Sequence, residues 1–191
     1  MNKNRLETFS DNVLAILITI MVLDLKVPGS TDLNALLAIW PVLTSYLLSF
    51  IYLAIYWNNH HHLFQIVKHV NGSILWANMH LLFWLSLLPF VTAWSGENDF
   101  AELPVAIYGV VLFLSAIAYY ILTKMLLKAH GKDSVLAKAL GRDLKGKISI
   151  ILYSSGIAAS FYSSLLAFSI YCLVAIIWIV PDSRMEKVLS E

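Results

Sequence analysis

Charge is scarce in this chain. Of 191 residues only 13% are Asp, Glu, Lys or Arg against 59% hydrophobic, and the mean hydropathy is +0.74. That balance excludes a soluble domain of this length and marks an integral membrane protein. Cysteine is almost missing: Cys172 stands alone, with no partner in the chain for a disulfide. No nucleophile-and-base pair, no paired catalytic carboxylates and no Gly-rich phosphate loop is visible, which argues against an enzyme. Internal repeats are also absent, and Pro89 is the one interruption of a long apolar run, which counts against a secondary transporter. The N-terminal segment lacks a small-residue cleavage site and is read as a retained helix, not a signal peptide. The formal net charge of +1 says little about partners.

What the chain does have is six apolar runs, at about 5–26, 36–57, 73–94, 105–127, 148–162 and 165–180. The fold class this predicts is all-α, a six-helix transmembrane bundle forming a single domain over 1–191. Pro28 and Gly29 end the first run, a polar His-containing connection covers 58–71, and Pro181 stops the sixth run. Pro89 lies inside the third and is expected to bend it, with neighbouring helices or hydroxyls such as Thr92 satisfying the freed backbone groups. Ser154, Ser155, Gly156, Ala158, Ala159 and Ser160 suit the fifth to close packing. Part of the basic connection 128–147, from Ser134 to Leu140, is a candidate amphipathic interfacial helix.

Six crossings put both termini on one side. With that side cytoplasmic, the inside collects Lys3, Arg5, Lys68, Lys124, Lys128, Lys132, Lys138, Arg142, Lys145, Lys147, Arg184 and Lys187, and the outside has Lys26, a count of twelve to one. The positive-inside rule therefore predicts cytoplasmic termini. The outer loops carry Asp32, Glu97, Asp99 and Glu102, an acidic surface suited to concentrating cations. The basic connection also suits anionic lipid headgroups, although topology alone explains its charge.

The first run is unusual because it places Ser10, Asp11, Asn12 and Thr19 at membrane depth, where polar groups normally face protein or water. At about 100° per residue, Asn12, Ile16, Thr19 and Leu23 form one stripe with Ile20 at its edge, while Asp11 points elsewhere. Such a stripe suits the wall of a narrow pore, where a hydrophobic constriction gates by dewetting. It equally suits ordinary packing, with Thr19 bonding back to its own helix. His60, His61 and His62 invite a metal reading, but consecutive helical side chains diverge by about 100° and do not converge on one ion. The plainer reading is one buried hydrogen-bonding histidine and two at the cytoplasmic interface, with His80 pairing to another helix. Trp57, Trp76, Trp94 and Trp178 are read as belt aromatics near helix ends.

Arg5-x-x-x-Phe9-Ser10-Asp11, followed by Asn-Val-Leu-Ala-Ile, Thr19 and Val-Leu-Asp-Leu, resembles the first-helix signature of the transmembrane protein 175 family of endosomal, lysosomal and prokaryotic potassium channels. Tyr56-Trp57-Asn58-Asn59-His60-His61-His62, Asn78 and Leu88-Pro89-Phe90-Val91-Thr92 resemble it too, so the likeness covers most of the chain; Asn12 replaces the small residue, usually glycine, of that pattern. The resemblance implies a potassium-preferring cation channel, a homotetramer arranged around the first helix, with Ile16 as the narrowest ring and Thr19 and Leu23 above it. A secondary transporter or a proton-permeable cation channel is the alternative. Since no Thr-Val-Gly-Tyr-Gly loop is present, any potassium selectivity must arise otherwise than in P-loop channels. Arg5, Phe9, Ser10 and Asp11 are read as a packing and hydrogen-bonding anchor for this helix, with His60, Asn78 and His80 as candidate interhelix partners. The implied partners are further copies of the chain, membrane lipids and permeant potassium ions, with no cofactor, resident metal or nucleic acid. The implied location is the cell membrane.

Overall fold

Inside a bilayer no water is at hand for backbone N–H and C=O groups, so a long apolar run satisfies them within itself as a helix. The computed structural model describes residues 3–131, 134–140 and 144–179. Pro181, and the charges of Lys132, Arg142, Arg184 and Lys187, lie outside the described residues, as does the side chain of Lys138. Among the described residues the regular structure is all helical: α1 (Lys3–Leu23), α2 (Leu33–Ala38), α3 (Trp40–Ile66), α4 (Gly72–Leu85), α5 (Leu88–Glu97), α6 (Glu102–His130), α7 (Val135–Leu140), α8 (Leu144–Ser160) and α9 (Ser164–Ile179).

Among the described residues four spans are long and apolar enough to cross a membrane, Lys3–Leu23, Trp40–Ile66, Gly72–Glu97 and Glu102–His130. The fifth and sixth expected crossings correspond to α8 and α9, of 17 and 16 residues. At ~1.5 Å per residue each reaches only about 24 to 26 Å, short of the roughly 30 Å hydrocarbon core.

The expected second run at 36–57 is divided, α2 ending at Ala38 and α3 starting at Trp40 with a proline in its first turn, and two further differences from the sequence expectation have identifiable reasons. The polar stretch after Trp57 is not a connection; α3 runs on to Ile66 because His60, Leu63 and Phe64 are buried on its inner side. The third run is two helices, α4 and α5. Proline has no N–H for the carbonyl of the residue four before it, and its ring clashes with that carbonyl. For Pro89 that residue is Leu85, where α4 ends, and α5 restarts at Leu88. Ser86 N–H still reaches Leu82 O at 2.9 Å, and Leu87 N–H makes the tighter three-residue bond to Trp84 O at 3.2 Å.

Small residues set how closely the helices approach. A Cβ on Gly96 would sit 2.7 Å from Val42 Cα, so α5 meets α3 backbone to backbone. Tyr171 of α9 is fully buried with its ring lodged against Gly109 of α6 and Gly156 of α8; a Cβ at either glycine would overlap that ring or its hydroxyl. Buried polar groups tie the same helices. The Thr92 hydroxyl donates to Leu88 O at 2.6 Å, so its oxygen accepts from Ser49 at 2.6 Å, and Ser49 in turn accepts from the Tyr108 hydroxyl at 2.9 Å. Ser45 donates to Thr92 O at 2.7 Å. One chain of hydroxyls thus links α3, α5 and α6 through an apolar interior.

The ends of the bundle are set by Lys3 Nζ donating to Phe64 O at 2.8 Å and the Lys68 N–H donating to His130 Nε2 at 3.1 Å, which gather the start of α1, the end of α3 and the end of α6. At the opposite end Lys26 pairs with Glu97 at 2.6 Å. The hydrogen bond to Glu97 and then its negative charge raise the Lys26 pKa above its ordinary value. In the basic connection, α7 is capped by Ser134, whose Oγ accepts from Ala137 N–H at 3.2 Å, and Leu136 is buried.

Gly109→Ala is expected to cost about 1 to 3 kcal/mol through overpacking against Tyr171. Thermal unfolding in detergent of Gly109→Ala, Tyr171→Leu and the double variant checks this: the glycine penalty should shrink in the Tyr171→Leu background. Strict additivity would show that the ring is not what the new methyl meets.

Candidate functional site

Two faces of α1 have opposite fates. Leu6, Ser10, Leu14, Leu17 and Met21, spaced three or four apart, are buried against the bundle. Asn12, Ile16, Thr19, Ile20 and Leu23 are exposed, Ile16 at 58% and Leu23 at 76%. Among the described residues neither Ile16 nor Leu23 belongs to the buried core of the protomer. Thr19 Oγ1 donates to Ala15 O at 2.9 Å. Its hydroxyl proton is thereby held by its own helix, and its oxygen remains as an acceptor on the exposed stripe.

The buried face is held by a directional relay. Ser10, at 0% exposure, donates to Leu6 O at 2.9 Å, so its oxygen accepts from Asn78 Nδ2 of α4 at 2.9 Å. Asn78 Oδ1 is left to accept, and His60 Nε2 of α3 lies 2.8 Å away, which makes His60 the Nε2-protonated tautomer. Phe64 stacks on the His60 ring with centroids 4.4 Å apart. Three helices are thus joined through one amide.

Beside this relay runs a ladder of contacts with a four-residue step on each helix. Lys3 reaches the carbonyls of Phe64 and Gln65, Glu7 Oε1 faces His61 Nδ1 at 3.2 Å, and Asp11 Oδ1 accepts from Trp57 Nε1 at 3.1 Å. Gln65 Nε2 meets His61 Nε2 at 2.7 Å, and Trp57 stacks on His61 at 5.7 Å. Sequence reasoning missed Lys3, Glu7, Trp57 and Gln65 because a tryptophan near a helix end reads as a belt residue. The signal was there: Lys3, Glu7 and Asp11 share one i, i+4 stripe, and Trp57, His61 and Gln65 share another.

Other expected residues fall elsewhere. Among the described residues His80 pairs within its own helix and not with another; its Nε2 accepts from Trp84 Nε1 at 2.9 Å, one turn along α4, where the i, i+4 spacing brings the donor close. Phe9 is 47% exposed and so lies on the outward side, not in the anchor. Arg5 is exposed and has no polar partner among the described residues. The three adjacent histidines separate, His60 toward Asn78 and His61 toward Glu7, and among the described residues no three His, Cys, Asp or Glu side chains are grouped to hold a metal ion.

The chain has clear relatives. Residues 5–89 match the family described as endosomal/lysosomal potassium channel TMEM175. A potassium channel of Chryseobacterium sp. (strain P1-3) is 56% identical over 191 residues, covering 100% of both chains. A potassium channel of Streptomyces collinus is 36% identical over 60% of each chain. The crystal structure of a lysosomal potassium-selective channel TMEM175 homolog from Chamaesiphon minutus superposes with a TM-score of 0.80 at 28% identity, covering 94% of this chain and 97% of that one.

Asn78→Ala removes both ends of the relay and strands the buried His60 Nε2–H, at a cost of about 1 to 3 kcal/mol. Asp11→Ala removes only a hydrogen bond on the exposed side, worth about 0.5 to 1.5 kcal/mol. Thermal unfolding of the two variants should rank Asn78→Ala as the less stable; the reverse order would move the main anchor of α1 from Ser10 to Asp11.

Proposed function

The chain belongs to the family of the endosomal/lysosomal potassium channel TMEM175, and from that membership we propose that it is a potassium-preferring cation channel of the cell membrane. Four copies surround one axis, and α1 of each lines the pore. The observation that carries this reading is the divided α1, anchored by Ser10 on one face and presenting Asn12, Ile16, Thr19, Ile20 and Leu23 on the other. A single helix cannot enclose an axis, so the exposed stripe needs symmetry-related copies of itself. Each subunit contributes six crossings, with α4 and α5 acting as one and the α8–α9 hairpin supplying the last two.

The mechanism follows from the side chains on the stripe. Four Ile16 side chains form the narrowest ring and offer an ion nothing to replace its hydration shell, so the ring excludes water when it closes. The Thr19 oxygen, its proton directed to Ala15 O, supplies an acceptor one turn further along. Selectivity then rests on pore width and partial dehydration without a P-loop filter, and is modest. Potassium is the permeant ion, and no cofactor is required. The Ser10–Asn78–His60 relay and the Lys3, Glu7 and Asp11 ladder hold the azimuth of α1, which decides whether Ile16 meets the axis. Basic residues gathered at the end that carries Lys3, Lys68, Lys145 and Lys147 support a cytoplasmic orientation for that end and, with it, for both termini.

Flux through the assembled oligomer in liposomes tests the constriction. Ile16→Asn should wet the ring, raising basal cation flux by roughly tenfold, equivalent to about 1.4 kcal/mol off a barrier, and weakening discrimination between potassium and sodium. Leu14→Asn, on the buried face, should lower the yield of folded protein without creating a leak. Unchanged flux and selectivity in well-assembled Ile16→Asn would take Ile16 out of the pore. Orientation is checked with single cysteines at Ser30, Asn98 and Ser134 in a Cys172→Ser background: an impermeant reagent on intact cells should label the first two and spare the third.

A further inference from the structure

Away from α1, a cavity of about 280 Å³ lies between α3, α6, α8 and α9. Its walls are aromatic and aliphatic, chiefly Tyr52 and Tyr56 of α3, Tyr119 of α6, Ile150 and Tyr153 of α8 and Trp178 of α9. Much of the polar capacity of these walls is already engaged. The Tyr52 hydroxyl donates to Tyr171 O at 2.6 Å, that of Tyr119 to Asn59 O at 3.3 Å, and Trp178 Nε1 to Ser149 Oγ at 2.7 Å. A guest therefore meets mainly apolar surface, a poor place for water, which needs two to four polar partners. The volume sits near the lower edge of the roughly 300 to 1,000 Å³ typical of small-molecule sites, enough for a stretch of acyl chain and too little for a whole lipid.

The mouth is cationic. Lys147 lines it, Lys124 Nζ stands 5.1 Å from the centroid of the rim residue Tyr120, and Lys145 Nζ stands 6.0 Å from that of Trp178; no carboxylate is among the described lining residues. Alongside Lys147 and Ile150, α8 exposes Ile148 at 47% and Ile151 at 68%, an apolar outer surface suited to lipid tails. The opening thus borders both bilayer and headgroup layer. A water-soluble ligand would have no use for that apolar border, and an uncharged lipid no use for the lysines.

We propose that this cavity holds one acyl chain of an anionic phospholipid drawn from the bilayer, with its headgroup on Lys147 and Lys124. The site is independent of the ion-permeation reading. It has a mechanical neighbour nonetheless: Tyr56 and Asn59 face the cavity from the same turn of α3 that carries His60, so an occupant braces the helix that holds α1.

Native mass spectrometry of the purified oligomer with phosphatidylglycerol and phosphatidylcholine reads the site directly. Phosphatidylglycerol should be retained in preference, and Lys124→Gln and Lys147→Gln should each lower its retention about fivefold, the effect expected for one lysine beside an anionic headgroup, while phosphatidylcholine is unaffected. Ala116→Leu, which fills the cavity, should reduce the retention of phosphatidylglycerol. Acyl-brominated phosphatidylglycerol should quench a component of the tryptophan fluorescence that disappears in Trp178→Phe; this measurement on the wild-type oligomer keeps the proposal testable should Ala116→Leu fail to fold. Equal retention of the two phospholipids, retention insensitive to both lysines, or no Trp178-dependent quenching overturns the proposal. So does preferential retention of oleate over phosphatidylglycerol, which would identify a free fatty acid as the occupant.

Discussion

Everything about α1 depends on one buried amide. Asn78 accepts from His60 and donates to Ser10, and these groups sit where water is excluded, so no alternative partner exists if α1 rotates or slides. In water such bonds contribute little net because solvent replaces them; a buried group left unpaired carries the full desolvation cost. The relay is therefore a register device more than a source of stability. It selects one rotation of α1 among several that would bury apolar area about equally well, since leucine, isoleucine and valine are distributed around much of the helix.

With the rotation of α1 set, the polar ladder beside it becomes intelligible. Lys3, Glu7 and Asp11 face Phe64, Gln65, His61 and Trp57 along the line where α1 and α3 approach each other. These contacts are nearer solvent than the relay and individually weaker, but they repeat at the helical step and fix how far α1 lies along α3. The remaining face, with Ile16 and Leu23 outermost, is left exposed among the described residues. In the proposed channel that exposed face is the functional one, while the buried face does the packing within the protomer.

The rest of the bundle supplies a rigid frame for that helix. Tyr171 occupies the space that Gly109 and Gly156 leave open, and Gly96 lets α5 lie on α3 at backbone distance. Such close approaches replace the hydrophobic driving force, which is missing between helices already surrounded by lipid tails. Where the frame is not closed, between α3 and α6, the cavity remains, and its aromatic walls and lysine rim arise from the same helices that hold His60 in place.

Much of this was legible from residue order alone. Sparse charge and long apolar runs are enough to require membrane helices, because hydropathy reports the solvent of a segment before it reports its neighbours. Ser10 and Asp11 at membrane depth marked α1 as the helix to watch for the same reason. The i, i+4 bond of His80 to Trp84 and the extension of α3 through its histidines were not foreseen, since local polarity does not say whether a polar side chain turns to solvent, to its own helix or to another. The break before Pro89 was foreseeable in kind, as the missing N–H is a property of the residue. Which amide joins Ser10, which glycines receive Tyr171, and which side of α1 is left bare were decided only by tertiary structure. Those outcomes depend on distances between residues tens of positions apart, and a helical period specifies which residues share a face but not what that face will meet.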